Sequence, residues 1–527
     1  MNRREFVKSS VAAALPALCG GSRAAHAEEG GAGATARPNI LFVMTDQQRY
    51  DAMSCHGGPA ITPNLDRLAA RGADFGQFFT QAPTCIPSRH NLFTGRTQVA
   101  RGYGKGYALP RHEIHLYKAL KQAGYHLGYI GKNHLLEDDE FRNFDVVRRD
   151  EKEQAGHPER QAYVAMKKAR HARLSDVGAW ASSYFHDLDP KASETFIRRE
   201  NAIEYLRNAP RDRPFCLTVS FDDPHVPHVA PAKFRDVYPL DKIRLPECPP
   251  DALDQKAPRY RIKRAAQQVD AATDEDRRLY LAVYYSMVSW VDENVGAILD
   301  ALDATGRRRD TIVVFTADHG DFNWEYGMVK KDLVLLDALL RVPFLFAWDG
   351  RIAPRVARDA FAEQIDVVPT LLELCGLEAP AGCQGRSLAP LLRGGPDAHK
   401  DAVFAQSCAP DSRNPYRTYE AFIADWQAHH DKPDHLLTWT ARYNVPGDFT
   451  RSVRTADWRY VWYIDGFEEL YDSRRDPREQ VNLALRPEHR ATCDALKARM
   501  DEWVRQSADP RDAAARARDA AAFDRWT

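Results

Sequence analysis

Four short apolar runs between residues 39 and 317 constrain this chain most. They are Asn39-Ile40-Leu41-Phe42-Val43-Met44, His126-Leu127-Gly128-Tyr129-Ile130, Pro214-Phe215-Cys216-Leu217-Thr218-Val219-Ser220 and Thr311-Ile312-Val313-Val314-Phe315. The first is an unbroken apolar run with no face left for water. Such a strand is buried on both sides, between layers of helix. The intervening segments supply the helices. One has Thr62 as N-cap, Pro63 at its first position and Gly72 just past its end. Another runs near Leu116 to Ala123 and stops at Gly124, and a long one covers about Arg277 to Leu302. Alternating helices and buried strands predict an α/β domain with a mostly parallel central sheet flanked by helices.

The residues just past the end of each run matter as much as the run itself. The first run ends in Asp46-Gln47 and the last in Asp318-His319-Gly320. The other two lead into Gly131-Lys132-Asn133-His134 and Asp222-Asp223-Pro224-His225. Open α/β sheets place their sites outside the carboxyl ends of the strands. Asp46, Gln47, Lys132, His134, His225, Asp318 and His319 are therefore expected at one edge. A single Asp after a strand is more often a turn residue than a ligand. The joint placement carries the argument.

The rest of the chain divides around this core. Residues 38–395 read as the large domain. Beyond 395, Asp401 to Ala405 and Tyr460 to Tyr463 read as shorter strands, and the Ala/Arg/Asp-rich segment from about Glu488 as helix. A smaller α+β domain is expected over 396–527. At the other end, Arg3-Arg4, an apolar run from Val11 to Cys19 and Ala25-His26-Ala27 read in order as a twin-arginine-type signal over 1–27. The run falls short of the roughly 20 residues that span a bilayer. A Gly/Ala-rich linker occupies 28–37. The expectation is a protein that folds in the cytoplasm, passes the twin-arginine export machinery folded, and works in the periplasm or outside, with no stable membrane anchor. Modification and metal loading can then precede export. With 44% hydrophobic and 28% charged residues a packed core is expected, and a formal net charge of -1 gives no reason to expect a nucleic-acid partner.

Nine cysteines are scattered with no C-x-x-C pair, and Cys19 leaves with the signal. This is neither a disulfide scaffold nor a structural zinc site. Cys375 and Cys383 are close enough to pair, but the sequence does not decide it. Cys85 stands apart because of its neighbours, Thr84-Cys85-Ile86-Pro87-Ser88-Arg89. A helix is expected to begin near Pro87, and its free N–H groups favour an anion. Arg89 would sit about one turn along, its fork suited to an anion or a metal-side oxygen.

Cys85-Ile86-Pro87-Ser88-Arg89, with Leu92 and Thr94-Gly95-Arg96 after it, resembles the signature of the type I sulfatases of the alkaline-phosphatase-like superfamily. The resemblance extends in order along the mature chain. It takes in Asn39 to Gln47, Thr62-Pro63-Asn64-Leu65-Asp66-Arg67-Leu68-Ala69, Gly131-Lys132-Asn133-His134, Pro224-His225-Val226-Pro227, Asp318-His319-Gly320 and Arg341-Val342-Pro343. Glu469-Leu470-Tyr471-Asp472, Asp476-Pro477 and Asn482-Leu483-Ala484 resemble the family's C-terminal segment.

The resemblance implies that a separate maturation enzyme oxidises Cys85 to formylglycine, whose hydrate is the nucleophile on sulfur. A diol ester can release sulfate by collapsing to the aldehyde, which a serine ester cannot do. Asp46, Gln47, Asp318 and His319 would hold one divalent cation, Ca²⁺ as first choice and Mn²⁺ or Mg²⁺ as alternatives. Arg89 would support residue 85. Lys132 and Lys331, with Lys330 as the alternative register, would bind sulfate oxygens. His225 would protonate the departing alcohol, and His134 would take the diol proton. Gln47 and His319 depart from the family's frequent Asp and Asn and lower the site's negative charge. The expected substrate is a small-molecule or glycan sulfate ester, a sulfated carbohydrate being favoured. A phosphonate monoester or phosphodiester hydrolase of the same superfamily is the main alternative, and a non-catalytic binder of sulfated ligands a lesser one. The rings of Tyr416, Tyr419, Trp426, His429, His430, His435, Trp439 and Tyr443 are read either as packing between the two domains or as a pocket wall.

Overall fold

The computed structural model describes residues 37–507 except 98–107, 150–156, 174–182 and 408–449, together with 250, 258–259, 262–263, 265–266, 268, 332–333 and 464–465. The export signal, the linker before residue 37 and the eight aromatic and histidine residues from Tyr416 to Tyr443 lie outside the described residues.

The described strands are β1 (Asn39–Thr45), β2 (Ala73–Phe79), β3 (His126–Gly131), β4 (Val146–Arg148), β5 (Ser183–His186), β6 (Phe215–Ser220) and β7 (His228–Pro231). They continue with β8 (Thr311–Ala317), β9 (Phe344–Ala347), β10 (Arg355–Glu363), β11 (Ala402–Gln406), β12 (Arg451–Thr455), β13 (Trp458–Trp462) and β14 (Glu468–Asp472). Eight of them form one sheet in the order β10-β2-β9-β8-β1-β6-β3-β4. All neighbours are parallel except at β9, which runs against both β2 and β8.

The unbroken apolar runs follow from this architecture. Ile40, Phe42 and Met44 of β1 enter one core with Leu116, Tyr117, Leu120, Leu371 and Leu372. Leu41 and Val43 enter a second core with Leu206, Val291, Val295 and Ile298. β8 divides the same way, Ile312 and Val314 on one face and Val313 and Phe315 on the other. Side chains alternate between faces, so a strand covered on both faces is apolar throughout.

A second sheet, β11-β12-β13-β14, is antiparallel. On one face Val453, Tyr460 and Leu470 pack with Cys493, Leu496 and Met500 of the helix Arg490–Ser507. On the other, Val403, Ala405, Val461 and Tyr463 pack with Phe322, Leu335 and Leu340. β5 and β7 form a small parallel pair. No described helix is long and apolar enough to cross a membrane. Cys375 and Cys383 are both free thiols, and Cys383 Sγ lies 3.5 Å from the Gly95 carbonyl oxygen.

Three local expectations need correction. The helix carrying Arg89 begins at Cys85 rather than near Pro87, with Thr84 as N-cap. The long helix begins at Asp274, where Thr273 and Asp276 form a reciprocal cap. Thr62 sits at the N-cap of the helix Pro63–Ala69, but its hydroxyl bonds Ser54 and Asp66 instead of a helix N–H. The cap comes from Asp292, 227 residues away from Leu65 in sequence. Its Oδ1 accepts Leu65 N–H at 2.7 Å, and its Oδ2 accepts Asn64 N–H at 3.2 Å and Asn64 Nδ2 at 2.8 Å. The long helix thus docks the short one by a buried carboxylate.

That carboxylate has a pH signature. Burial, outweighing its hydrogen bonds, pushes Asp292 up to about 6. The unfolded value is about 3.9, so between about pH 4 and 6 the folded state holds a proton that the unfolded chain has lost. Stability falls as pH rises through that window, by about 3 kcal/mol when ionisation is complete. Asp292→Asn removes this titration. Urea melts should show the variant gaining on the wild type from pH 4 to pH 6.5, and a difference independent of pH would refute the assignment.

Candidate active site

The register of the central strands explains how distant residues meet. Thr45 pairs with Ala317, Met44 with Ser220, and Ser220 with Gly131. Four parallel strands therefore end nearly level. Just beyond them, Asp318, Asp46, Asp222 and Lys132 emerge along one edge in the order β8-β1-β6-β3.

Arg89 enters beneath them from the helix Cys85–Thr94 and is fully buried. Its Nη2 lies 3.1 Å from Asp46 Oδ2 and its Nε 3.0 Å from Asp318 Oδ2. Its Nη1 donates to Ser220 Oγ at 2.8 Å and to the Lys132 and Asn133 carbonyls at 3.2 and 3.4 Å. Of the two uses expected for this guanidinium, the structure shows it on carboxylate oxygens. Ser88, one residue before, donates to the Asp318 carbonyl at 2.5 Å and to Gln364 Oε1 at 2.9 Å.

Cys85 opens the same helix. Its Sγ lies 2.8 Å from Lys331 Nζ, 3.4 Å from His319 Nε2 and 3.5 Å from Asp46 Oδ1. Burial and Asp46 push the thiol up, but Lys331, Lys132 and His319 outweigh them and hold it well below the ordinary cysteine range. Lys132 Nζ lies 2.7 Å from Asp46 Oδ2 and 3.7 Å from Asp222 Oδ1. Lys331 Nζ also lies 3.2 Å from Gln47 Oε1 and 3.7 Å from Asp46 Oδ1. Lys330, the alternative, exerts its charge on His228.

His225 Nδ1 lies 2.6 Å from the Val226 carbonyl, which turns Nε2 to the site, 3.9 Å from Asp46 Oδ1. Burial, Lys331 and Lys132 push it down to about 4. His134 is half-buried in the turn after β3, two residues past Lys132, with φ +54°. Nine of the ten expected residues are tied to the centre by these contacts, and His134 follows two residues after Lys132 beyond the end of β3.

Asp46, Cys85, Asp318 and His319 bring one ligand atom each within 4.8 Å of one another. The donor set suits a divalent cation. Two carboxylates and the Gln47 oxygen are hard donors, and His319 Nδ1 lies 2.8 Å from the Gly320 carbonyl, leaving Nε2 facing Asp46 and Asp318 at 3.5 and 3.6 Å. The two carboxylates are held differently by their surroundings. Burial pushes Asp46 up, but Lys132 and Lys331 hold it well below the ordinary range. Burial and Asp46 push Asp318 up to about 6.

Sequence reasoning missed the partners of these residues. Asp222 sits between Lys132 and Arg198, whose Nη2 is 2.6 Å from Asp222 Oδ2. Ser220 and Asp321 hold Arg89 and Gln47. Asp222 and Asp321 both follow strand ends, which was the available signal.

Residues 38–377 match the family model for sulfatases. The chain is similar to the choline-sulfatase of Rhizobium meliloti, at 28% identity over 86% of this chain and 83% of the relative. It is also similar to the Δ4,5-hexuronate-2-O-sulfatase of Bacteroides thetaiotaomicron, at 28% identity over 94% and 92%. Among solved structures, the phosphonate monoester hydrolase of Silicibacter pomeroyi shares the fold, with a TM-score of 0.71 at 22% identity over 90% of this chain and 96% of that one. The match spans all eight strands of the central sheet and every residue of the site, and the chain belongs to the sulfatase family of sulfuric ester hydrolases.

Proposed function

We propose that this protein releases inorganic sulfate from a sulfated carbohydrate, with a formylglycine made from Cys85 as the nucleophile and one divalent cation beside it. The observation that carries the reading is the setting of residue 85, at a helix start, 2.8 Å from Lys331 Nζ and within 3.5 Å of His319 and Asp46. A side chain so placed faces both a cation cradle and an anion-binding lysine. Asp46, Gln47, Asp318 and His319 would hold the cation, Ca²⁺ first and Mn²⁺ or Mg²⁺ as alternatives, which when bound supplies Lewis-acid polarisation of the sulfate.

The chain's own groups divide the remaining work. Lys132 and Lys331 bind sulfate oxygens and offset the charge that grows as the ester breaks. Arg89 keeps the two carboxylates in place below residue 85. His225 gives a proton to the departing alcohol. Its low basicity comes from burial and the two lysines. A bound sulfate offsets those lysines, so the histidine gains its proton as substrate arrives. His134 takes the proton from the second hydroxyl of residue 85.

The sugar preference draws on the hexuronate-2-O-sulfatase relative. The twin-arginine-type motif supports export to the periplasm or beyond, with the export machinery and a formylglycine-generating enzyme as partners. Gln47 and His319, where type I sulfatases often carry Asp and Asn, together with the fold shared with a phosphonate monoester hydrolase, support a second reading in which phosphonate monoesters or phosphodiesters are turned over.

Three outcomes are expected. The tryptic peptide containing residue 85 from the native host should be lighter by about 18 Da than the unmodified cysteine peptide. An intact thiol in fully active protein would overturn the nucleophile. In paired assays, a sulfate ester should be preferred over a phosphodiester or phosphonate with the same leaving group, and the reverse preference establishes the second reading. His225→Ala should slow alkyl or sugar sulfates by about 10²–10⁴-fold, and esters of strongly acidic phenols far less. Equal losses on both would remove His225 from proton transfer.

A further inference from the structure

Gln47 is held more tightly than an uncharged side chain at a cation cradle needs to be. Its backbone is left-handed, φ +70°, a conformation that costs a non-glycine residue about 1–3 kcal/mol and persists only where the surroundings impose it. The surroundings do so at four points. Its N–H donates to Asp318 Oδ1 at 3.0 Å, and its carbonyl accepts the Tyr284 hydroxyl at 2.9 Å. Its Nε2 donates to Asp321 Oδ2 at 2.5 Å, and its Oε1 accepts Lys331 Nζ at 3.2 Å.

The chemistry of these partners fixes which way the carboxamide faces. A lysine ammonium has only donors, so the amide atom beside it is the oxygen. A carboxylate has only acceptors, so the atom beside Asp321 is the nitrogen. Asp321 is itself fully buried and held. Its Oδ1 accepts Asn323 N–H at 2.6 Å, and the Tyr280 hydroxyl lies 3.4 Å from both of its oxygens. Tyr280 and Tyr284 are one turn apart on the long helix Asp274–Ala304, so a single rigid element backs Asp321 and the Gln47 backbone together.

We propose that Asp321, backed by Tyr280, is a positioning residue that locks the Gln47 carboxamide with its oxygen turned to the cradle. This rests on reading Asp46, Gln47, Asp318 and His319 as the cation ligands. A carboxylate at position 47 would offer an acceptor in either orientation. A carboxamide offers one only if something outside the cradle claims its NH₂ group. Turned over, it would set two N–H donors against the cation and against Lys331. Asp321 removes that alternative and leaves its negative charge one layer outside the ligands, where Gln47 has left a charge missing.

The test is calorimetric titration of metal-stripped protein with Ca²⁺ and with Mn²⁺, with thermal melts of the metal-free forms alongside. In Asp321→Asn only one side-chain oxygen remains for the three donors of Asn323, Gln47 and Tyr280. With that oxygen on Asn323 N–H, the new NH₂ group faces Gln47 Nε2 and drives the amide over. Affinity should fall by about 10–100-fold. The double variant Gln47→Glu with Asp321→Asn reverses the hydrogen bond, the new amide donating to the new carboxylate, and should return affinity to within about threefold of wild type. Asp321→Asn with wild-type affinity overturns the positioning role and leaves the cradle standing. A wild type that binds neither ion overturns the cradle reading and the role with it. If Asp321→Asn does not fold, the double variant and Tyr280→Phe decide. Recovery in the first with a loss of several-fold in the second supports the role, and a folded double variant that binds poorly overturns it.

Discussion

The Arg89 guanidinium meets the ends of four strands at once. It touches Asp46 beyond β1, Asp318 beyond β8, Ser220 at the end of β6 and the carbonyls of Lys132 and Asn133 beyond β3. Two fully buried carboxylates lie side by side there. Like charges about 4 Å apart repel by about 4 kcal/mol at an effective dielectric of 20, so this edge would not stay closed unaided. A planar fork with five donors can meet several acceptors that lie in different directions, which a lysine ammonium cannot do with the same rigidity. The rest of the site is built on that neutralisation. Lys132 and Lys331 hold Asp46 ionised from its other side, where His225 also gathers, and Arg89 adds its charge from below.

The gathering leaves an imbalance that has chemical direction. Asp46 and Asp318 face Arg89, Lys132 and Lys331, so the fixed groups already lean positive before any cation enters. A cleft of this kind draws in a small anion and stabilises charge that develops on it. The Cys85 thiol responds to the same field, held low by Lys331 and Lys132 despite its burial. Gln47 brings no charge to this edge, and the carboxylate of Asp321 stands behind it, on its carboxamide nitrogen.

The fold was legible because its strands are buried on both faces. Ile40 to Met44 and Ile312 to Phe315 have no polar side to confuse the period, and parallel pairing brought their ends level, so residues hundreds of positions apart could be assigned to one edge. The contact of Lys331 with Cys85 depends on the chain's path near residue 330, where Lys330 has φ +64°, and no periodicity encodes that. The Asp292 cap and the Asp321 contact were invisible for a different reason. Each joins elements distant in sequence through a single hydrogen-bonded carboxylate, and a buried acid reads in sequence like any surface acid. Thr62 had the composition of a cap, yet Ser54 and Asp66 compete for its hydroxyl, which only the packed structure can arbitrate.

Helical geometry links the fold to the chemistry in one last step. Cys85 and Arg89 are four residues apart on one helix, hence on one face and about 6 Å apart along the axis. Arg89 is clamped to the strand ends, so the helix has no freedom to slide or turn. Residue 85 is then fixed above the carboxylate pair at the helix N-terminus, where the first N–H groups are unspent and Pro87 contributes none. A helix starting at Pro87 would have left residue 85 in a loop, free to move relative to Arg89. Beginning the helix at Cys85 makes the position of residue 85 a consequence of the same guanidinium that closes the sheet edge, so that this side chain and the carboxylates beneath it are held by one anchor.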